Sequence, residues 1–212
     1  RYGMGFRKPY RSLASDFLYP DPNNLLVFPD NHDMARFFTQ VNKDIDLFKM
    51  GIVFYATIRG IPQFYYGTEI LMSPDEKRPG NHGLVRTEFP GGWADHIKNA
   101  FTGENLTDEE LEIQSFFKEL LNWRKNNNVI HDGKLIQFAP KDEVYSYFRI
   151  LDDKMVWVIL NRNNSSKTLK TARFAELISE KDYAYDLLND KRISISENIV
   201  LSKKSALILE IE

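Results

Sequence analysis

The chain has 212 residues, 42% of them hydrophobic and 13% aromatic, which is enough apolar material for one large domain or two small ones. Its 28 Lys and Arg against 30 Asp and Glu give a net charge of −2, so there is no basic excess to hold a phosphate backbone and nucleic acid is not expected as a partner. The absence of cysteine excludes disulfides, thiolate metal sites and cysteine nucleophiles. The longest apolar stretches, such as 51–56, are too short to span a bilayer, and no membrane partner is expected. The chain opens Arg1-Tyr2-Gly3-Met4, without a start methionine or a signal peptide. A fragment is therefore expected, and the localisation stays open between periplasmic or secreted and cytoplasmic.

Residues 25–28 (LLVF) form a compact apolar run ending in Pro29-Asp30-Asn31-His32-Asp33, the pattern of a buried strand running into a polar loop. Asn42 or Asp44 is placed to cap a helix that is apolar at Phe48, Ile52, Tyr55 and Ala56 and stops at Gly60. A second short aromatic strand follows in IPQFYYGTE, with Gly67 at its exit. Strand, helix, strand is the unit of a parallel sheet. Residues 71–105 are rich in Gly, Pro and Asn and lack periodicity, and a loop of that length is usually functional or disordered. Thr107 with Glu110 forms a capping box opening a helix with an apolar face at Ile113, Phe116, Phe117, Leu120 and Leu121.

From Gly133 the period changes to two. Val144–Ile150 and Met155–Leu160 flank Asp152-Asp153 as a hairpin, and alternating runs at Ile193 and Ile195 and at Leu207, Leu209 and Ile211 predict an antiparallel sandwich. The first half has a deficiency. Two parallel strands need cover on both faces and further neighbours. Either the segment 1–20 completes a small open layer, or the rest of a barrel is missing.

Asn31-His32-Asp33 is the most chemical trio, because barrel enzymes keep carboxylate and imidazole groups at the C-terminal ends of their strands. A tripeptide alone is equally a loop-capping Asx with a satisfied histidine. FPDNHD followed about thirty residues later by GIPQFYYGTE resembles the α-amylase family of glycoside hydrolases. The first string resembles the family's region at the end of barrel strand seven, and the second its strand-eight region. HGLVRTEFPGGW is similar to a loop of the neopullulanase and cyclomaltodextrinase branch.

The resemblance implies α/β plus all-β architecture. Residues 1–132 would be the C-terminal part of a (β/α)8 barrel, strands 7–8 and their helices, and 133–212 a C-terminal β-sandwich. It implies that Asp33 stabilises the transition state and that His32 binds sugar hydroxyls in subsite −1. Fixed negative charge gains strength as an oxocarbenium-like state forms. Arg36 is a supporting or substrate contact, or else a surface salt bridge. Tyr66 and Glu69 match the strand-eight motif, although Phe64 and Tyr65 are expected in the core and Glu69 also suits a hydrogen bond at the barrel mouth. Arg86 and Trp93 lie in the long loop, where an indole stacks on a glucose face or merely packs the loop.

A retaining glycosidase needs two further carboxyls, a nucleophile and a general acid. No G-x-R-x-D segment precedes Asn31, and Asp16, in a stretch resembling the connection before strand seven, is no candidate. The chain alone is thus expected to be inactive and to need the remainder of a parent enzyme, with an α-glucan oligosaccharide as substrate. No cofactor is implied. His32, His82, His96 and His131 lack the partners and spacing of a metal site, and the Asx pairs fit no EF-hand. Asn163-Asn164-Ser165 fits a glycosylation pattern that is frequent by chance. The rival expectation is a non-catalytic carbohydrate-binding or assembly module centred on the sandwich, using Tyr145, Tyr147 and Trp157. Association of two chains, as a homo-oligomer that covers open strand edges, is allowed.

Overall fold

The computed structural model describes residues 5–73 and 82–212; the opening Arg1–Met4 and the stretch 74–81 of the expected long loop lie outside the described residues. In chain order the helices and strands are α1 (Arg7–Leu13), β1 (Leu26–Val27), α2 (Phe37–Gln40), α3 (Ile45–Thr57), β2 (Ile61–Pro62), α4 (Asp108–Lys125) and α5 (Asn128–Asp132), then β3 (Lys134–Lys141), β4 (Val144–Leu151), β5 (Lys154–Asn161), β6 (Lys167–Leu169), α6 (Ala175–Ile178), β7 (Tyr183–Asp186), β8 (Lys191–Ser194), β9 (Ile199–Leu201) and β10 (Ser205–Ile211). They fall into two units. One contains Leu26–Ala56 and Ile61–Asn126, the other Arg1–Leu25, Thr57–Gly60 and Asn127–Glu212. Among the described residues no helix is long and apolar enough to cross a membrane.

In the first unit, β1 and β2 pair in parallel, Leu26 opposite Ile61 and Val27 opposite Pro62. The pair is shorter than the apolar runs suggest and is not buried: Leu26 is 55% and Ile61 51% exposed. The aromatic run after Pro62 leaves the strand at once and turns through Tyr66-Gly67 into a 3₁₀ turn at Thr68–Ile70. Gly67 is needed there. Its φ is +82, and a Cβ would stand 2.1 Å from the Met72 sulfur. Helix α3 is capped by Asp44, whose carboxylate accepts the Leu47 amide at 3.0 Å, while Asn42 and Lys43 take left-handed backbone ahead of it. The core of the unit is aromatic. Phe48 packs against Phe37 at 5.4 Å, Phe38 at 5.5 Å and Phe117 at 6.3 Å between ring centroids.

The capping box of α4 is present: Thr107 Oγ1 accepts the Glu110 amide at 3.2 Å and Glu110 Oε2 accepts the Thr107 amide at 2.8 Å. Ile113, Phe117 and Leu120 form its buried stripe. Burial disfavours the Glu110 charge, but the Lys98 ammonium at 2.8 Å and the Thr107 amide outweigh it and hold the carboxyl below its usual range. A carboxyl with a lowered folded pKa stabilises the fold above its unfolded pKa, and that contribution is lost as pH falls through the lowered value. Thr107→Ala, which removes the cap, is expected to cost about 1 kcal/mol at neutral pH, and Glu110→Gln, which removes the charge, should cost stability at neutral pH that vanishes in acid. Urea unfolding at the two pH values checks both, and an unchanged midpoint at pH 7 would contradict the cap.

The second unit is built on a six-stranded antiparallel sheet in the order β3-β4-β5-β10-β7-β8, with a separate β6-β9 ladder. The hairpin forms as expected, with Tyr147 opposite Val158, Phe148 opposite Trp157, and Asp152 in left-handed backbone at the turn. Phe148, Trp157, Leu209 and Ala184 from the sheet pack in one core with Leu169, Ile199 and Leu201 from the ladder and with Phe174 and Ile178. Phe174 and Ile178 come from a 3₁₀ turn and α6, a helical segment that no periodicity announced.

The opposite face of β4 is buried too. Phe6 and Tyr10 meet the Tyr145 ring at 5.6 and 6.4 Å, Tyr145 donates to Gln137 Oε1 at 2.6 Å, and the Tyr147 hydroxyl lies 2.6 Å from Thr57 Oγ1. Burial pushes both phenols above their usual range. Arg149, also fully buried, donates to the Gly133 carbonyl at 3.1 and 2.7 Å. Tyr145, Tyr147 and Trp157, the proposed platform of a sugar-binding module, all have zero exposure. The alternation in β4 separates two buried faces, and it presents no ring for a sugar to stack on.

Candidate active site

Five of the residues singled out in the first half of the chain, His32, Asp33, Arg36, Tyr66 and Arg86, gather where β1 and β2 end. Parallel strands finish on the same side, so the segments after Val27 and after Pro62 are neighbours by topology. The Gln63 amide donates to the Val27 carbonyl at 2.8 Å, continuing the pairing one step beyond the strands.

After β1 the chain makes a turn closed by Asn31, whose side-chain oxygen accepts the Asp33 amide at 2.8 Å and whose carbonyl accepts the Met34 amide at 3.2 Å. Asx turns of this kind need only the asparagine. The turn lifts His32 and Asp33 into solvent, with side-chain exposures of 60% and 66%. His32 Nε2 stands 3.2 Å from Asp33 Oδ2. Arg86, from the 3₁₀ turn His82–Arg86, places Nη2 2.9 Å from Asp33 Oδ1 and donates through Nε to the His32 carbonyl at 3.0 Å. One guanidinium thus engages both the carboxylate and the backbone beside it.

Arg36 does not form the surface salt bridge that was the alternative to a supporting or substrate contact. It is 1% exposed, its guanidinium carbon lies 4.2 Å over the Tyr65 ring and 4.8 Å over that of Tyr66, and Nη1 donates to the Tyr66 carbonyl. Nη2 has no hydrogen-bond partner among the described residues. Tyr66 is 37% exposed and donates to the Thr87 carbonyl at 2.6 Å, which links the strand-eight-like segment to the loop carrying Arg86.

Glu69 and Trp93 are not drawn into this cluster. Glu69 borders a cavity of about 530 Å³ lined also by Phe64, Tyr66, Phe117, Lys118 and Leu121. Burial raises its carboxyl above the usual range, against the opposing pull of Arg36. Trp93 is 63% exposed. Among the described residues it has no ring contact or side-chain hydrogen bond with His32, Asp33 or Tyr66.

The sequence places Asp30 only in the polar loop after the first apolar run, without a role. It is 1% exposed and accepts the Phe37 amide at 2.7 Å, with Thr68 Oγ1 3.4 Å from each carboxylate oxygen. Burial raises its carboxyl above the ordinary range, opposed by the Phe37 amide, the Arg36 charge, the Thr68 hydroxyl and the Tyr65 amide. A buried strand exit ending in an acidic residue seven positions ahead of a Phe-Phe pair was the available signal. Among the described residues no group of three His, Asp or Glu is arranged to hold a metal ion.

Residues 135–210 match the model of the cyclo-malto-dextrinase C-terminal domain. The chain is 29% identical over 196 residues to a cyclomaltodextrin glucanotransferase of Thermoanaerobacterium thermosulfurigenes, covering 92% of this chain and 24% of the relative. It is 25% identical over 181 residues to a cyclomaltodextrinase of Thermoanaerobacter pseudethanolicus, covering 85% of this chain and 27% of the relative. The chain therefore spans about a quarter of the length of these two proteins. In fold it is similar to the α-amylase of Anoxybacillus, with a TM-score of 0.72 at 23% identity over 95% of this chain and 41% of the other. The chain is thus similar to α-amylase family enzymes over most of its length, and its residues 135–210 match the C-terminal domain of one of them, the cyclo-malto-dextrinase.

Proposed function

We propose that this chain supplies strands seven and eight of a (β/α)8 barrel, with the sandwich that follows, to a retaining enzyme acting on α-glucosidic bonds of starch-derived oligosaccharides. In this reading residues 1–132 belong to the barrel and 133–212 to the C-terminal domain. Asp33 is the carboxylate that stabilises positive charge developing on the sugar ring. His32 hydrogen-bonds the hydroxyls of the same sugar. Arg86 orients Asp33, Tyr66 and Arg36 support the turn, Trp93 offers an apolar face to a more distant glucose, and Glu69 braces the segment after β2.

The observation that carries the reading is the state of Asp33. Its carboxylate is solvent-accessible at a strand exit yet held at 2.9 Å by Arg86 and at 3.2 Å by His32. An exposed ion pair of this kind contributes little to stability, so its value lies in presenting a fixed charge to something that binds from outside. Glycosidic cleavage with retention needs a nucleophile and an acid besides such a charge. Those carboxyls come from the remainder of the enzyme. The acceptor, water or a second sugar, then separates hydrolysis from the transfer that a relative's name describes.

The test is reducing-sugar release and cyclodextrin formation from pullulan, cyclodextrin and soluble starch, by the pure 212-residue chain and by the enzyme that carries it. Activity of the larger enzyme alone is expected. Turnover by the 212 residues alone would move the catalytic carboxyls onto this chain's own acids and end the reading.

A further inference from the structure

The turn that presents His32 and Asp33 is itself exposed, and the contacts those two side chains make are exposed with it. Such contacts do not fix a backbone. What fixes it lies beneath. The Asp30 carboxylate reaches across the turn to the amide of Phe37, the first residue of α2, and so closes the loop 30–37 upon itself. The same carboxylate meets the Thr68 hydroxyl, on the segment after β2. Arg36, one residue before the closure, supplies the opposite charge and makes the reciprocal contact through Nη1 to the Tyr66 carbonyl. Two buried charges, one from each end of the turn, are thereby bolted to residues 65–68.

We infer that Asp30 is a positioning residue for the catalytic pair: it sets where the Asp33 carboxylate and the His32 ring stand relative to the sugar, without touching substrate. The inference rests on the role given to Asp33 above. Fixed charges help a transition state only if they are already in place, and a misplacement of about 1 Å can cost on the order of 100-fold in rate. The competing role is a helix cap that contributes to stability alone.

Asp30→Asn separates the two. The amide oxygen can still accept from Phe37, so the fold is expected to persist, but the charge opposing Arg36 is gone and the new NH2 group can no longer accept from the Thr68 hydroxyl. In the enzyme that carries this chain, kcat on cyclodextrin and maltoheptaose should fall roughly 10- to 100-fold with KM nearly unchanged. Thr68→Val, which removes one arm and keeps the volume, should move kcat in the same direction by a smaller factor. Wild-type kcat in Asp30→Asn, whatever happens to its thermal midpoint, leaves only the capping role and overturns the inference. Should Asp30→Asn not fold, an unaltered kcat in Thr68→Val overturns it instead. Asp33→Ala, run alongside, keeps the two readings apart. If it is as active as the wild type, the site reading and this inference fall together; if it is inactive while Asp30→Asn is unimpaired, only the inference falls.

Discussion

Replacing Asp33 by alanine in the enzyme that carries this chain is expected to lower kcat on the order of 10³-fold and to leave KM within a few-fold. The asymmetry follows from when the interaction forms. A neutral sugar in the ground state gains little from a nearby carboxylate, whereas a ring carrying partial positive charge gains a great deal once water has been displaced. The free site holds the carboxylate between Arg86 Nη2 at 2.9 Å and His32 Nε2 at 3.2 Å, so no search for orientation is needed when the sugar arrives. Asp33→Asn isolates the charge: its oxygen still accepts from Arg86, its shape is preserved, and kcat should fall nearly as far as in the alanine variant. Steady-state kinetics on maltooligosaccharides, with circular dichroism to verify folding, decide the matter. A folded Asp33→Ala enzyme within about tenfold of wild-type kcat would place Asp33 outside the chemistry, since even one well-aimed donor is typically worth more than that.

The legible parts of this molecule are those in which a local pattern and its partner lie close in the chain. Thr107 with Glu110 specifies a helix start within four residues, and Asp152-Asp153 between two alternating runs specifies a hairpin, and both are present. Asn31-His32-Asp33 was legible as a polar trio after an apolar run, because a strand exit needs no distant information. Periodicity fails where burial has two sources. Tyr145 and Tyr147 alternate with Ser146 and Phe148 as if one face were wet, yet α1 and the core with Phe174 cover both faces. It fails in the opposite sense at Leu26 and Ile61, whose apolar character predicts burial although the two-stranded pair leaves both half exposed. Asp30 escaped, and so did the burial of Arg36, because their setting depends on Tyr65, Tyr66 and Thr68, about thirty residues further along. A charged residue two positions from an exposed turn looks like surface until the segment that buries it is known.

Trp157→Ala is expected to destabilise the sheet-containing unit by about 3–5 kcal/mol, enough to unfold a marginal domain. The indole is fully buried, stacks on Phe148 at 5.0 Å with planes 13° apart, and meets Phe174 at 4.9 Å. Its Nε1 donates to Ser146 Oγ at 2.5 Å, so truncation also strands a buried hydroxyl. The cavity cannot collapse easily. Phe148 stands on the neighbouring strand in fixed register with position 157, and Phe174 sits on the helical segment between β6 and β7. Trp157→Phe keeps most of the packing and should lose much less, mainly through the Ser146 hydroxyl. Urea unfolding followed by far-ultraviolet circular dichroism, which does not rely on the removed fluorophore, measures both. The same two variants test the module reading through cyclodextrin binding followed by calorimetry. A buried indole predicts that folded Trp157→Phe binds as the wild type does, whereas a sugar platform predicts loss of binding with stability intact. The second pattern would require Trp157 to leave the core in which Phe148 and Phe174 now hold it.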